Sequence, residues 1–216
     1  MGNAASLLDF DSGMKDDLGL KDDVLEILSG TVDVLNTIAS LIDPYTANHQ
    51  HRVSQLATAI AEKLDLPKHQ IEGIKVGSLL YDIGKVAIPN DILSKYGAIS
   101  EQEFGIIKCH PQNGYKILSK VKFPWPVHKM VLHHHERLDG TGYPVGLLDD
   151  DILFEAKVIA VADVVEAISS HRPYRSSLGM DTAIHEISEG SGTLYDENIV
   201  RVCMRLLLED KFQFSE

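Results

Sequence analysis

From Ile152 to Ile168 the chain is apolar on nearly every side of a helix, with Asp163 set inside the run. A helix of that pattern belongs in the middle of a domain, enclosed by other elements, rather than on a surface. Asp163 is then enclosed as well, and a lone carboxylate there costs several kcal/mol unless it is paired, neutralised or bound to a cation. The rest of the chain supplies helices to do the enclosing. Val24, Leu28, Thr31, Leu35, Ile38 and Ile42 recur at helical spacing until Asp43-Pro44 breaks the run. Val53, Leu56, Ala57, Ile60, Ala61 and Leu64 mark a second helix stopped near Pro67, and a third is expected from Lys68 to Ile83, ending at Gly84. Ser100 and Glu103 have capping-box spacing before Phe104 and Ile107. A short helix is expected over Tyr115 to Leu118, and another from Pro126 through Val127, Met130 and Val131. Two amphipathic helices close the chain, around Ala183 to Ile187 and Ile199 to Leu208. No stretch alternates with period two over a full strand, so the expected fold is all-α.

At 216 residues the chain is long enough for one cored domain with a short extension. Residues 1–20, acidic and Gly-punctuated, are expected to be a poorly ordered leader, and residues 21–42 an N-terminal helix that packs on the domain or pairs two copies. A net charge of −12 argues against a broad footprint on DNA or anionic lipid, while leaving small phosphorylated ligands open. No run approaches the roughly 18 apolar residues of a membrane span. The first residues lack a signal-peptide pattern, and Cys109 and Cys203 make no disulfide framework, so a cytoplasmic setting is the default.

Ten histidines are the unusual count, and several fall on inward helical positions. His49 precedes Val53 by four residues and Leu56 by seven, continuing that apolar stripe, whereas His51 points elsewhere. His134 and His135 follow Met130 and Val131 by four residues and extend the buried stripe of their helix; His133 is expected to face solvent. His110 precedes Pro111 at a helix junction, and Asp82 ends the third helix beside Gly84. One inward histidine is more often a hydrogen-bonded core residue than a ligand. Four of them with two inward aspartates are what a carboxylate-bridged dinuclear metal site needs.

Five stretches then carry a family resemblance: His49-Gln50-His51-Arg52-Val53, Asp82-Ile83-Gly84-Lys85, His110-Pro111, His134-His135-Glu136 with Asp139-Gly140-Thr141-Gly142-Tyr143-Pro144, and Ala162-Asp163 with Arg172-Pro173-Tyr174-Arg175. Together they resemble the HD-GYP family, α-helical metal-dependent phosphohydrolases of the HD superfamily that hydrolyse cyclic di-GMP to pGpG and often onward to GMP. The resemblance implies an HD-superfamily helical bundle over about residues 43–210. It implies that His49, Asp82, His110, His134, His135 and Asp163 hold two divalent transition-metal ions, with Asp82 the bridge. Iron or manganese come first, zinc and nickel after them. It also implies that Asp82 and Lys85 are catalytic, and that Lys85, Tyr143, Pro144, Arg172 and Arg175 face the substrate. Expected partners are cyclic di-GMP, a protein met through the GYP loop, and a second copy met through the N-terminal helix.

Two departures stand out. Where the family carries its signature histidine, directly before Asp82, this chain has Tyr81, and Glu166 stands where an aspartate is usual. A phenol, with an ordinary pKa near 10, is a poor ligand unless a metal strips its proton. Tyr81 therefore has three readings: phenolate ligand, hydrogen-bond partner of the attacking water, or filler of the gap. They set a working phosphodiesterase with an altered metal shell against a degenerate relative that binds cyclic di-GMP, or a partner protein, without turnover.

Overall fold

The computed structural model describes residues 30–38, 44–95, 97–170 and 177–214. Among these residues there is no strand, and two isolated bridges, Asp139 with Leu148 and Ser191 with Tyr195, are the only extended pairings. Helical residues 30–38 form α1, followed by α2 (Pro44–Lys63), α3 (Lys68–Leu80), α4 (Asn90–Leu93), α5 (Glu101–Ile107) and α6 (His110–Leu118). After these come α7 (Val127–His133), α8 (Phe154–Ser169), α9 (Met180–Glu189) and α10 (Glu197–Leu208). Single 3₁₀ turns cover Ile83–Ala87 and Asp149–Asp151.

The axis is α8. Ala156, Val158, Ile159, Val161, Ala162 and Val165 are fully buried, and α2, α3, α7, α9 and α10 all pack on this helix. Each fully buried Val or Ile contributes about 1.5–3 kcal/mol relative to exposure, so the apolar run alone is enough to gather a layer around it. Trp125 is an anchor in the same core: its indole lies over Gly73 of α3 and is 7% exposed. Of α1, Val32 is buried and Leu35 packs against the core; the rest of the expected 21–42 helix and the 1–20 leader lie outside the described residues. No helix among the described residues is long and apolar enough to cross a membrane.

Several helix ends depart from expectation, and each departure bears on the site. The α5 capping box forms with both of its hydrogen bonds. But α3 stops at Leu80, so Tyr81 and Asp82 lie on the turn beyond it rather than on its last turn. The cause is a backbone contact: a Cβ on Gly84 would stand 1.9 Å from the His110 carbonyl oxygen and 2.5 Å from the Gly114 nitrogen. Only glycine lets the chain lie this close to α6. Helix α6 starts at His110, five residues before the expected Tyr115, with Pro111 in its first turn, where proline's missing N–H is harmless. Helix α7 ends at His133, so His134 caps it and His135 lies past it instead of continuing its stripe. His133 is half-buried rather than solvent-facing: its Nδ1 accepts the Leu153 N–H at 3.3 Å, at the start of α8.

Candidate active site

Five elements converge on a polar pocket of the core. The turn after α3 brings Tyr81, Asp82 and Lys85; the first residue of α6 brings His110. The end of α7 brings His134 and His135, while α2 and α8 face each other with His49 and Asp163. His49, Tyr81, Asp82, His110 and His134 are buried to 3% exposure or less.

Proton bookkeeping on the first group is decisive. His110 Nδ1 lies 2.7 Å from the Ile107 carbonyl and His134 Nδ1 lies 2.7 Å from the Val131 carbonyl. A carbonyl can only accept, so both Nδ1 atoms donate, and in the neutral imidazole each Nε2 carries a lone pair. Those two Nε2 atoms face each other at 3.2 Å. The Asp82 Oδ1 atom lies 3.2 Å from His110 Nε2 and has no hydrogen-bond partner among the described residues. Acceptors turned on one another in a buried site are unfavourable until a cation stands between them. The ring nitrogens of His110, His134 and His135 include one atom each lying within 4.8 Å of the others. Three imidazoles and a carboxylate suit zinc, iron, manganese or nickel, and the backbone carbonyls fix two of the rings in the ligating tautomer. This donor set fits a metal ion.

Electrostatics agree with that geometry. Burial draws His134 down to about 4, keeping it neutral. Burial holds His135 well below the usual histidine range. Burial opposes ionisation of Asp82, but its polar neighbours, led by the Lys85 ammonium 2.6 Å from Oδ2, together outweigh it and hold the carboxyl well below its ordinary value.

The second group is of another kind. His49 Nε2 lies 3.0 Å from Asp163 Oδ1 and 2.6 Å from the Tyr81 hydroxyl, which donates to the same Asp163 oxygen at 3.0 Å. On its far side His49 Nδ1 meets the Glu166 carboxylate, which also receives Arg52 Nε at 2.6 Å. Burial alone would lower the pKa of His49, but the hydrogen bonds and charges of Asp163 and Glu166 raise it. For Asp163 burial works upward, and the bond to His49 prevails to hold it far below the carboxylate range. Burial, then the charges of Asp163 and Asp82, pushes the Tyr81 phenol well above its ordinary value.

The loop after α7 closes the pocket. A Cβ on Gly142 would stand 2.4 Å from Glu136 Cα, so only glycine lets this loop lie on the Glu136–Arg137 backbone. Tyr143 donates its N–H to the His135 carbonyl at 3.1 Å and stacks its ring on the His135 imidazole at 4.6 Å; Pro144 follows. Lys108 lies over the Tyr143 ring at 5.1 Å.

Of the expected site residues, the structure brings together His49, Tyr81, Asp82, Lys85, His110, His134, His135, Tyr143 and Asp163, while Arg172 and Arg175 lie outside the described residues. Glu136, next to the histidine pair, accepts the backbone N–H groups of Val145, Gly146 and Leu147 at 2.8–3.0 Å. Arg52 went unread, and so did the pairing of Glu166 with His49. The signal was there: Arg52 is three residues after His49 and Glu166 three after Asp163, so each shares a helical face with its neighbour.

Comparison with known proteins accords with this arrangement. The HD domain family matches residues 33–199. The chain belongs to that family. It is 38% identical over 83% of its length to a cyclic di-GMP phosphodiesterase of Pseudomonas aeruginosa, and covers 45% of that protein. It is also 38% identical, over 76% of its length, to the cyclic di-GMP phosphodiesterase response regulator RpfG of Xanthomonas campestris pv. campestris, of which it covers 44%. The chain thus spans less than half the length of these two curated relatives. In structure it resembles the HD domain of the L. monocytogenes phosphodiesterase PgpH in complex with cyclic-di-AMP. The TM-score is 0.60 at 20% identity, covering 82% of this chain and 97% of that one. That likeness bears on the fold, an HD-superfamily helical bundle; the motif set is that of its HD-GYP group.

Proposed function

We propose that residues 43–210 form a metal-dependent phosphodiesterase domain that hydrolyses cyclic di-GMP to linear pGpG and onward to GMP, with a metal shell altered at Tyr81. The observation that carries this is the pair of lone-pair nitrogens of His110 and His134 facing each other beside Asp82 Oδ1, which has no hydrogen-bond donor among the described residues. The names of the similar phosphodiesterases support the substrate. The family resemblance assigns His49, Asp82, His110, His134, His135 and Asp163 to metal, and of these the Asp82, His110, His134 and His135 group is the one whose lone pairs are turned on one another. Divalent iron or manganese bound there would polarise a phosphoryl oxygen and make a water acidic enough to attack it at neutral pH.

The chain's own groups do the rest. Lys85, 2.6 Å from Asp82, places an ammonium where a phosphate would approach the carboxylate, and it can move a proton at Nζ. Tyr143, held by stacking on His135, offers a ring edge beside the pocket, and Pro144 stiffens its loop. Arg172 and Arg175 are assigned to phosphate and guanine edges on their chemistry. Val145 and Leu148, 60% and 59% exposed just past the GYP residues, support a protein contact through that loop. Val34 and Ile38, exposed on α1, support a homodimer through the N-terminal helix. The free thiols of Cys109 and Cys203 suit a reducing cytoplasm.

Incubation of the protein with cyclic di-GMP and Mn²⁺, or with Fe²⁺ under anaerobic conditions, tests this. The expected product is pGpG. A second reading, a module that binds the dinucleotide without turnover, is favoured by the Tyr81 hydroxyl standing against His49 and Asp163. Calorimetric binding with no product would select it.

A further inference from the structure

Six metal-type side chains converge here, enough for two ions, but they fall into two groups of opposite character. Around His110, His134 and Asp82, acceptors face acceptors. Around His49 and Asp163, the polar atoms that face one another already have partners. We infer that this site takes a single divalent ion, among His110, His134, His135 and Asp82, and that the Tyr81 hydroxyl fills the place between His49 and Asp163 that a second ion would need. The inference rests on the metal-dependent reading above and sharpens it.

An imidazole nitrogen has one in-plane position, holding either a lone pair or a proton. At His49 Nδ1 that position is turned to the Glu166 carboxylate, which can only accept, so Nδ1 carries a proton. At Nε2 it is used in either of two ways. A lone pair accepts the Tyr81 O–H at 2.6 Å; a proton is donated to Asp163 at 3.0 Å, and Tyr81 then donates to the same Asp163 oxygen at 3.0 Å. A metal ion held by His49 needs that same nitrogen lone pair, and one held by Asp163 Oδ1 shares the oxygen to which Tyr81 donates. First-row ions hold N and O ligands at about 2.0–2.2 Å, so an ion reaching both atoms from the Tyr81 side crowds the phenol oxygen. Tyr81 has little room to yield: it is fully buried, with its ring edge-on to His134 at 4.8 Å. Close-packed interiors resist such a swing. At the His110 group, with both rings neutral, an ion takes lone pairs that no donor among the described residues receives, and it relieves a repulsion.

The test is to load the purified chain with Mn²⁺, remove excess metal, and measure manganese per chain by mass spectrometry alongside its electron paramagnetic resonance spectrum. A single Mn²⁺ per chain with the spectrum of an isolated ion is expected. In Tyr81→His, a second ion and an exchange-coupled spectrum are expected, with circular dichroism checking that the variant keeps its helices. Two ions in the unaltered chain overturn the inference whatever the variant does. So does a visible ferric–phenolate absorption band on loading with iron in air, since Tyr81 would then be a ligand. Failure here and failure of the functional reading are distinguishable. One ion without hydrolysis of cyclic di-GMP leaves the inference standing and removes the phosphodiesterase; two ions with hydrolysis do the reverse. A chain that holds no ion overturns both.

Discussion

The two halves of the pocket are built from the same residue types to opposite ends. Around His110 and His134 the backbone takes the Nδ1 protons and turns the lone pairs inward, with no donor among the described residues to meet them. Around His49 and Asp163 a neighbour meets both His49 nitrogens and Asp163 Oδ1: Glu166 on one side, Tyr81 on the other, and Arg52 behind Glu166. Residue type is therefore a poor guide to ion binding. What separates the halves is which groups have spent their hydrogen-bonding capacity on the protein itself.

The largest effect that could break this contrast comes from trading ligand losses between the halves. His134→Ala should lower ion affinity, and with it hydrolysis, by more than about 100-fold, beyond what loss of an outer partner usually costs. Asp163→Asn, which keeps an oxygen to accept from Tyr81, should retain the ion in metal analysis. Equal loss in both variants would erase the distinction.

A smaller effect is expected from Glu166→Ala. It leaves Arg52 and His49 without their shared carboxylate and should cost roughly 2–3 kcal/mol in urea unfolding, the modest end of such losses because Arg52 reaches solvent. The ion content should not change. A protein that loses its metal instead would show that the second half helps to hold it.

The halves should also differ in the sign of their pH dependence once a chelator has removed metal. His134 is drawn down to about 4 in the fold, so the unfolded chain binds its proton first as pH falls. Its half is intact above about 6.5 and loses stability between there and about 4. His49 is raised, so its contribution is full below about 6.5 and is lost as pH rises through the folded value. Unfolding of His49→Ala and His134→Ala across pH, each against the unaltered chain, should show slopes of opposite sign. The same sign in both would mean that the two halves titrate as one unit.

The smallest effect concerns the loop. In Glu136→Gln one acceptor oxygen remains for three backbone donors, so amide exchange at Val145, Gly146 and Leu147 should quicken while the helices keep their protection. Protection unchanged at those three amides would show that the loop is held by other contacts.

Much of this was legible beforehand. The apolar run of α8 announced its central place, and Ser100 with Glu103 announced the start of α5, because local spacing suffices for both. The end of α3 was misplaced because the Gly84 contact with His110 joins residues 26 apart, and nothing near Gly84 in sequence announces it. His134 and His135 were taken as helix-face positions, yet their placement follows from α7 stopping at His133. The inward set of histidines and aspartates could be proposed from helical spacing. Which nitrogens would carry lone pairs could not, since that depends on the Ile107 and Val131 carbonyls, local in the chain but silent in composition.

The contact of Gly84 with the His110 carbonyl has a further consequence. It couples main chain to main chain, so the spacing of Asp82 and His110 is set by a joint that no side chain contributes to. Residues around the pocket can therefore be exchanged, as tyrosine for histidine at position 81, without moving the frame that holds the rest. Such a joint lets the chemistry of the pocket drift through evolution, or be redesigned, while its geometry is inherited intact.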